Sequence, residues 1–164
     1  MAAGSTYTPI ATTTLTGSSN TLTFSSIAGT YTDLVIVAAA SMPTSDDAFL
    51  VQFNSDTGSN YSTTYIYGNG TAAVSGRITS STSTIQGRAG NATIGTSYIQ
   101  FQNYSNSTTY KTVISRGGTA NGLPSAYVGL WRSTAAITSI KLTSESGNNF
   151  SNGSTFTLYG IQAA

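Results

Sequence analysis

The sequence predicts an all-β chain, an antiparallel β-sandwich of jelly-roll type, in a single domain over residues 1–164. Three observations predict it. Apolar and polar residues alternate with a period of two along most of the chain, the pattern of a strand with one face on a core. Ser and Thr supply about a third of the residues, and Thr favours strands through its branched side chain. Turn-rich clusters cut the chain into short runs with few helix signals between them.

Ten strands follow in order. The first two, 7–15 and 20–27, are separated by Gly17-Ser18-Ser19-Asn20. The third, 31–40, holds Asp33 to Ala40 and is apolar on both faces, so it reads as a central strand covered on both sides. Its small alanines point to close approach by another layer or a neighbouring subunit. The fourth, 48–54, alternates Phe49, Val51 and Phe53 with Leu50, Gln52 and Asn54, and the fifth, 61–67, follows the turn at Asp56 to Asn60. After Gly68-Asn69-Gly70 the stretch 71–92 carries two Arg, small residues and little periodicity. It reads as a long surface loop or as a contact arm at a partner interface. Strands resume at 93–104, where Ile99 and Phe101 alternate with Gln100 and Gln102, and at 108–116, which ends on Gly117-Gly118. The last three are 126–132, 136–143 (Ile140 and Leu142 inward) and 154–161 (Phe156 and Leu158 inward), the final pair parted by Ser146 to Asn149.

Composition bears on function more sharply than on fold. There is no His and no Cys, and Lys, Arg, Asp and Glu together number eleven, with a net charge of +1. His is the usual proton shuttle near neutral pH, and Cys and His dominate transition-metal sites. The chain is therefore read as a non-enzyme without cofactors. The six basic residues are scattered, which argues against nucleic acid as a partner. The longest apolar run, Leu34 to Ala40, is far short of the roughly 20 residues that span a bilayer, so no membrane association is expected. The first residues carry no basic and apolar signal pattern, so synthesis in a cytoplasm without signal-directed export is expected.

The candidate chemistry is thin. Asp46, Asp47 and Asp56 flank the fourth strand, and a glycosidase needs two carboxylates facing each other across a sugar; solvated loop carboxylates are the simpler reading. Asn54, Asp56 and Asn60 place oxygens at spaced positions around Gly58, the way a Ca²⁺ loop presents ligands, but with one carboxylate where tight sites use several, so a plain turn is the competing reading. Lys111 and Lys141 fall in strands and are expected on solvated faces. Tyr127, Trp131 and Arg132, with the other tyrosines, could pack in the sandwich, form a protein interface or offer a platform for glycans.

An ordered set of blocks resembles a known family. These are Gly29 to Val37, Phe53 to Tyr61, Tyr65 to Gly70, Gly129 to Ile137 and Gly153 to Ile161. In this order they are similar to a β-sandwich domain of tailed-bacteriophage virion proteins, over roughly residues 7 to 161. The resemblance implies a structural part of a virion, with no catalytic residues to carry over. It does not settle which part, since similar domains occur both as capsid-decorating proteins and at the ends of longer fibres. With no coiled-coil heptads and no collagen-like repeat in the sequence, the expectation is a capsid decoration (cement) protein on the exterior of the head, a homotrimer whose partners are the major capsid protein and sister subunits. The alternative it leaves is a tail-fibre or receptor-binding module contacting host glycans. Under the decoration reading residues 1–10 would be a docking arm, or only the first strand.

Overall fold

A computed structural model describes residues 6–120 and 123–162. Among them are twelve strands and no helix: β1 (Tyr7–Thr14), β2 (Thr21–Phe24), β3 (Asp33–Met42), β4 (Asp47–Phe53), β5 (Tyr61–Gly68), β6 (Ala73–Ser81), β7 (Thr84–Asn91), β8 (Gly95–Phe101), β9 (Lys111–Gly118), β10 (Ser125–Trp131), β11 (Ile140–Ser144) and β12 (Thr155–Ile161). The all-β class and its sandwich-like layering agree with the sequence expectation.

Two antiparallel sheets make up the fold. The larger runs β1-β12-β3-β8-β9-β10-β5-β6, and the smaller runs β2-β11-β4-β7. They join at one corner, where β3 and β7 make two parallel pairs, Ser41 with Gly90 and Met42 with Asn91. The period-two pattern explains the layering. Leu34, Ile36, Ala38 and Ala40 of β3, Ile99 and Phe101 of β8, and Phe156 and Leu158 of β12 all point inward from the large sheet. Leu22, Phe24, Phe49, Val51, Phe53, Ile140 and Leu142 point inward from the small one. Rings lock the layers edge to face: Phe53 on Phe101 at 5.7 Å and Phe49 on Phe156 at 5.8 Å. Each such fully buried side chain contributes about 1.5–3 kcal/mol of transfer free energy.

The larger sheet overhangs the smaller. β7 is the last strand of the small sheet and lies across β8, β9 and β10. The layers are tight there because the residues are small and polar. A Cβ on Gly129 of β10 would sit 2.3 Å from Thr84 Oγ1 and 2.4 Å from Gln86 Nε2, both on β7. β7 reaches β5 at Thr63, whose hydroxyl bonds that of Thr84; the Tyr65–Gly68 end of β5 and most of β6 are half-buried or exposed.

Three sequence expectations change. The stretch 71–92 is neither loop nor arm for most of its length but β6, a turn and β7. β6 hid because it is an edge strand, largely exposed, and its Ser, Gly, Arg and Thr show no alternation. β7 hid because its inward positions are Thr84, Gln86, glycine and the small Ala89 rather than large aliphatic residues. Of the possible docking arm 1–10, residues 1–5 lie outside the described residues, while Tyr7 to Thr14 pair with β12 as an ordinary strand. β3 is covered on its inner face, yet on its outer face Val37 is 43% exposed.

Candidate functional site

The sequence-selected residues do not assemble into one site. Trp131 is buried in the core, stacked on Tyr61 at 6.2 Å and 5.3 Å from Phe53. As an interface or glycan-platform candidate it is corrected: its period places it inward on β10. Tyr127, four residues earlier on the same face, is buried too, its hydroxyl accepting from Arg88 Nε at 3.0 Å. Arg132 lies just past β10, half-buried, with its backbone N–H donating to Asn60 O at 2.8 Å.

In the 54–60 turn, the candidate oxygens are spent on protein donors. Asp56 Oδ2 accepts from Trp131 Nε1 at 2.7 Å and from Asn60 Nδ2 at 2.9 Å, and its Oδ1 accepts from Gly58 N at 2.8 Å. These donors hold the Asp56 carboxyl below its ordinary value, the indole N–H foremost. Asn60 therefore presents an amide nitrogen to the carboxylate, and a nitrogen with its protons cannot ligate a cation. Asn54 faces the other way. Its Oδ1 accepts from Thr138 N at 2.8 Å and Ser139 N at 3.1 Å, and its Nδ2 donates to Ala136 O at 2.7 Å. Among the described residues no group of three or more His, Cys, Asp or Glu could hold a metal.

The other aspartates are cross-links as well, not the solvated loop groups expected. Asp33 accepts from Gln100 Nε2 and Asn103 N, and Asp46 from Asn91 N and Thr119 Oγ1. Asp47 accepts from Ser144 Oγ and from both N and Oγ of Ser146. Asp47 opens β4 and Asp56 lies past its other end, so a strand of about 20 Å separates them, too far for the two to share a sugar. Lys111 is buried instead of solvated, its Nζ donating to Thr109 O at 2.7 Å and Thr134 O at 3.2 Å, and desolvation lowers its pKa. Lys141 is exposed on β11, as expected.

Two surfaces stand out instead. The first is the outer face of the large sheet. Val37, Ile114, Val128 and Ile66 lie there on β3, β9, β10 and β5, between 43% and 51% exposed. Register puts Ile114 directly beside Val128, and Val37 in one row with Tyr98, Arg116, Ala126 and Ile66. Tyr7 and Tyr98 bring their hydroxyls to 3.1 Å across β12 and β3, and Arg116 sits over the Tyr98 ring at 5.2 Å. Burial beneath this arch, together with the Tyr7 contact, pushes the Tyr98 hydroxyl up to about 12. A depression of about 490 Å³ opens beside it, floored by Val37 and Gly117 and rimmed by Pro124.

The second surface is a cleft of about 230 Å³ under the overhang, between β5–β6 and the edge strand β7. Tyr65 and Tyr67 line it, near-parallel with ring centres 6.1 Å apart. Tyr65 fits because Gly76 faces it across the pair; a Cβ there would meet the Tyr65 hydroxyl at 2.5 Å. Arg88 lies over Tyr67 at 5.7 Å, and Glu145 closes the far side. Partial desolvation and the nearby Asp47 raise the Glu145 pKa, against a smaller opposing pull from Arg88.

Neither surface was visible as a site in the sequence, since its residues come from strands far apart in the chain. The one available signal was the out-of-phase apolar residues of β3, which leave Val37 on the polar side. No protein-family model matches the chain, and no curated protein matches it either.

Proposed function

We propose that this chain is a structural protein of a tailed-bacteriophage virion, a decoration (cement) protein that binds the exterior of the head through the outer face of its large sheet. The observation that carries the reading is that face, with four exposed aliphatic side chains, the tyrosines Tyr7, Tyr98 and Tyr159, and the charged groups Arg77, Arg116 and Asp33. Apolar and aromatic residues with Arg, depleted of Lys and Glu, form the composition of an interface centre. Seven inter-strand steps of about 4.8 Å and strands of about 23 Å give a projected face of roughly 770 Å², against roughly 800 Å² per partner in a standard interface.

The strand order supports the reading further. Setting aside β5, β6, β9 and β10, the sheets run β1-β12-β3-β8 and β2-β11-β4-β7. That is the order of an eight-stranded jelly roll, the architecture of many shell-forming domains. The four remaining strands are two hairpin-like additions that widen one sheet, and they carry Ile66, Ile114 and Val128 of the face. In this proposal the partners are the major capsid protein and sister subunits in a trimer.

The test is to image the particle and count copies. Hundreds of copies on the head are expected, and Ile114→Asp with Val128→Asp should remove them while the purified chain still melts cooperatively. A few copies at the tail would replace the head reading by the fibre-tip one. Full retention of the double variant on the head would refute the assignment of the face.

A further inference from the structure

We propose that the cleft under the overhang binds a neutral saccharide, one sugar ring at a time. The site is independent of the outer face and does not rest on the virion reading.

The argument starts from groups left unspent. Arg88 uses Nε on Tyr127, but its two Nη groups make no hydrogen bond among the described residues. The same holds for the hydroxyls of Tyr65 and Tyr67 and for the carboxylate of Glu145, although all four side chains line one cleft. A surface group without a protein partner is ordinary. Four of them around one concavity, with stacked rings as a wall, form the pattern of a ligand site: an apolar surface with a few convergent polar groups.

The charges select the ligand. Arg88 and Glu145 stand on the same cleft and balance, so an anion meets the carboxylate and a cation meets the guanidinium. A cation would otherwise suit a tyrosine-walled pocket, but Arg88 already occupies the face of Tyr67. What remains is a neutral molecule with an apolar face for a tyrosine ring and hydroxyls that both donate and accept. Glu145 accepts hydrogen bonds from hydroxyls, and the planar Arg88 fork donates to adjacent oxygens. A pyranose ring has these properties. The volume sets the size, because 230 Å³ lies below the roughly 300–1,000 Å³ of sites for larger ligands. One ring enters and the rest of a glycan stays outside.

Gly76 has a part in this without touching the ligand. It lets Tyr65 lie across β6, and any side chain at that position must move the ring. Gly76 is thus a positioning residue.

The test uses the full chain and saturation-transfer NMR with methyl glucoside, methyl galactoside, methyl mannoside and N-acetylglucosamine as probes. Saturable binding in the millimolar range is expected for at least one, as befits a single ring on a small site. Tyr65→Ala, Arg88→Lys and Gly76→Ala should each weaken it about tenfold, roughly 1.4 kcal/mol. Ile114→Ser, on the opposite face, should leave it unchanged. Melting curves identify any variant that has lost its fold, and Tyr65→Phe, which deletes one oxygen only, then serves in its place with a smaller loss. Absence of saturable binding by all four probes overturns the proposal. So does binding that survives Tyr65→Ala and Arg88→Lys, or tighter binding of glucuronate or glucosamine than of the neutral sugars.

Discussion

Replacing Gly129 by Ala sets two physical effects against each other, and the structure decides the sign. Gly129 is not among the positive-φ glycines, so Ala can adopt its backbone. In a strand interior Ala should then gain about 0.5–1 kcal/mol over Gly from reduced unfolded-state entropy. The added Cβ, however, lies 2.3 Å from Thr84 Oγ1 and 2.4 Å from Gln86 Nε2. Neither atom is free to swing away. Thr84 Oγ1 shares a 2.9 Å hydrogen bond with Thr63 Oγ1 and accepts from Gln86 Nε2 at 3.0 Å, all within the buried contact of β7 with β10 and β5. Overpacking of this kind costs about 1–3 kcal/mol, and a broken buried hydrogen bond adds about 1 kcal/mol. The expected net result is a loss of about 1–3 kcal/mol, or a Tm lower by about 2–10 °C in a domain of this size. Urea denaturation followed by Trp131 fluorescence measures it, with Gly17→Ala as the control because a Cβ at Gly17 meets nothing within 4 Å. A Gly129→Ala protein as stable as wild type would refute the close approach of β7 to the large sheet.

Other expectations follow from the turns and the core. Asn54→Ala should cost about 2–4 kcal/mol, because it strands the N–H groups of Thr138 and Ser139 and puts Ala at a φ of 51°. Millimolar Ca²⁺ should leave the melting curve of the wild-type chain unmoved, and a rise in Tm would restore the 54–60 turn as a cation site. Burial raises the Tyr61 hydroxyl from 10.0 to about 12, so its contribution to stability is whole below pH 10 and is lost as pH climbs through about 12. Urea midpoints between pH 9 and 12 should therefore fall more for wild type than for Tyr61→Phe. Lys111 acts in the opposite sense, since its folded pKa lies below its unfolded one and stability rises as pH approaches 10.5; in Lys111→Met the alkaline loss should therefore be steeper. The Asp56 carboxylate, held low by the Trp131 indole, stabilises the turn at neutral pH and stops doing so as pH falls below 3.8 through its folded value. Trp131 fluorescence during acid titration should follow that step.

The layers were legible because they obey one local rule. Phe49, Val51 and Phe53, or Phe156 and Leu158, announce their face through period two alone, and all ten expected strands exist within a few residues of their expected ends. β6 and β7 were not legible, since an exposed edge and a polar inner contact both erase the alternation. Side-chain partnerships were the least readable. That Lys111 turns inward to two carbonyls, or that Asp56 faces Trp131, depends on residues 23 and 75 positions away. The candidate surfaces share that limit. Arg88, Glu145, Tyr65 and Tyr127 belong to four different segments, and only the crossing of the two sheets brings them to one cleft.

The pairing of β1 with β12 has a mechanical consequence. Tyr7 is registered with Ile161, so the two ends of the described chain leave from the same corner of the sheet. A pulling force applied across them acts perpendicular to the ladder and parts it one hydrogen bond at a time, like a zip. The same bonds loaded along the strands would have to break together. A domain held by its ends would peel open at low force, whereas one held by its broad face would spread the load over eight strands. The same ladder is therefore weak to a pull across its two ends and strong to a load running along its strands.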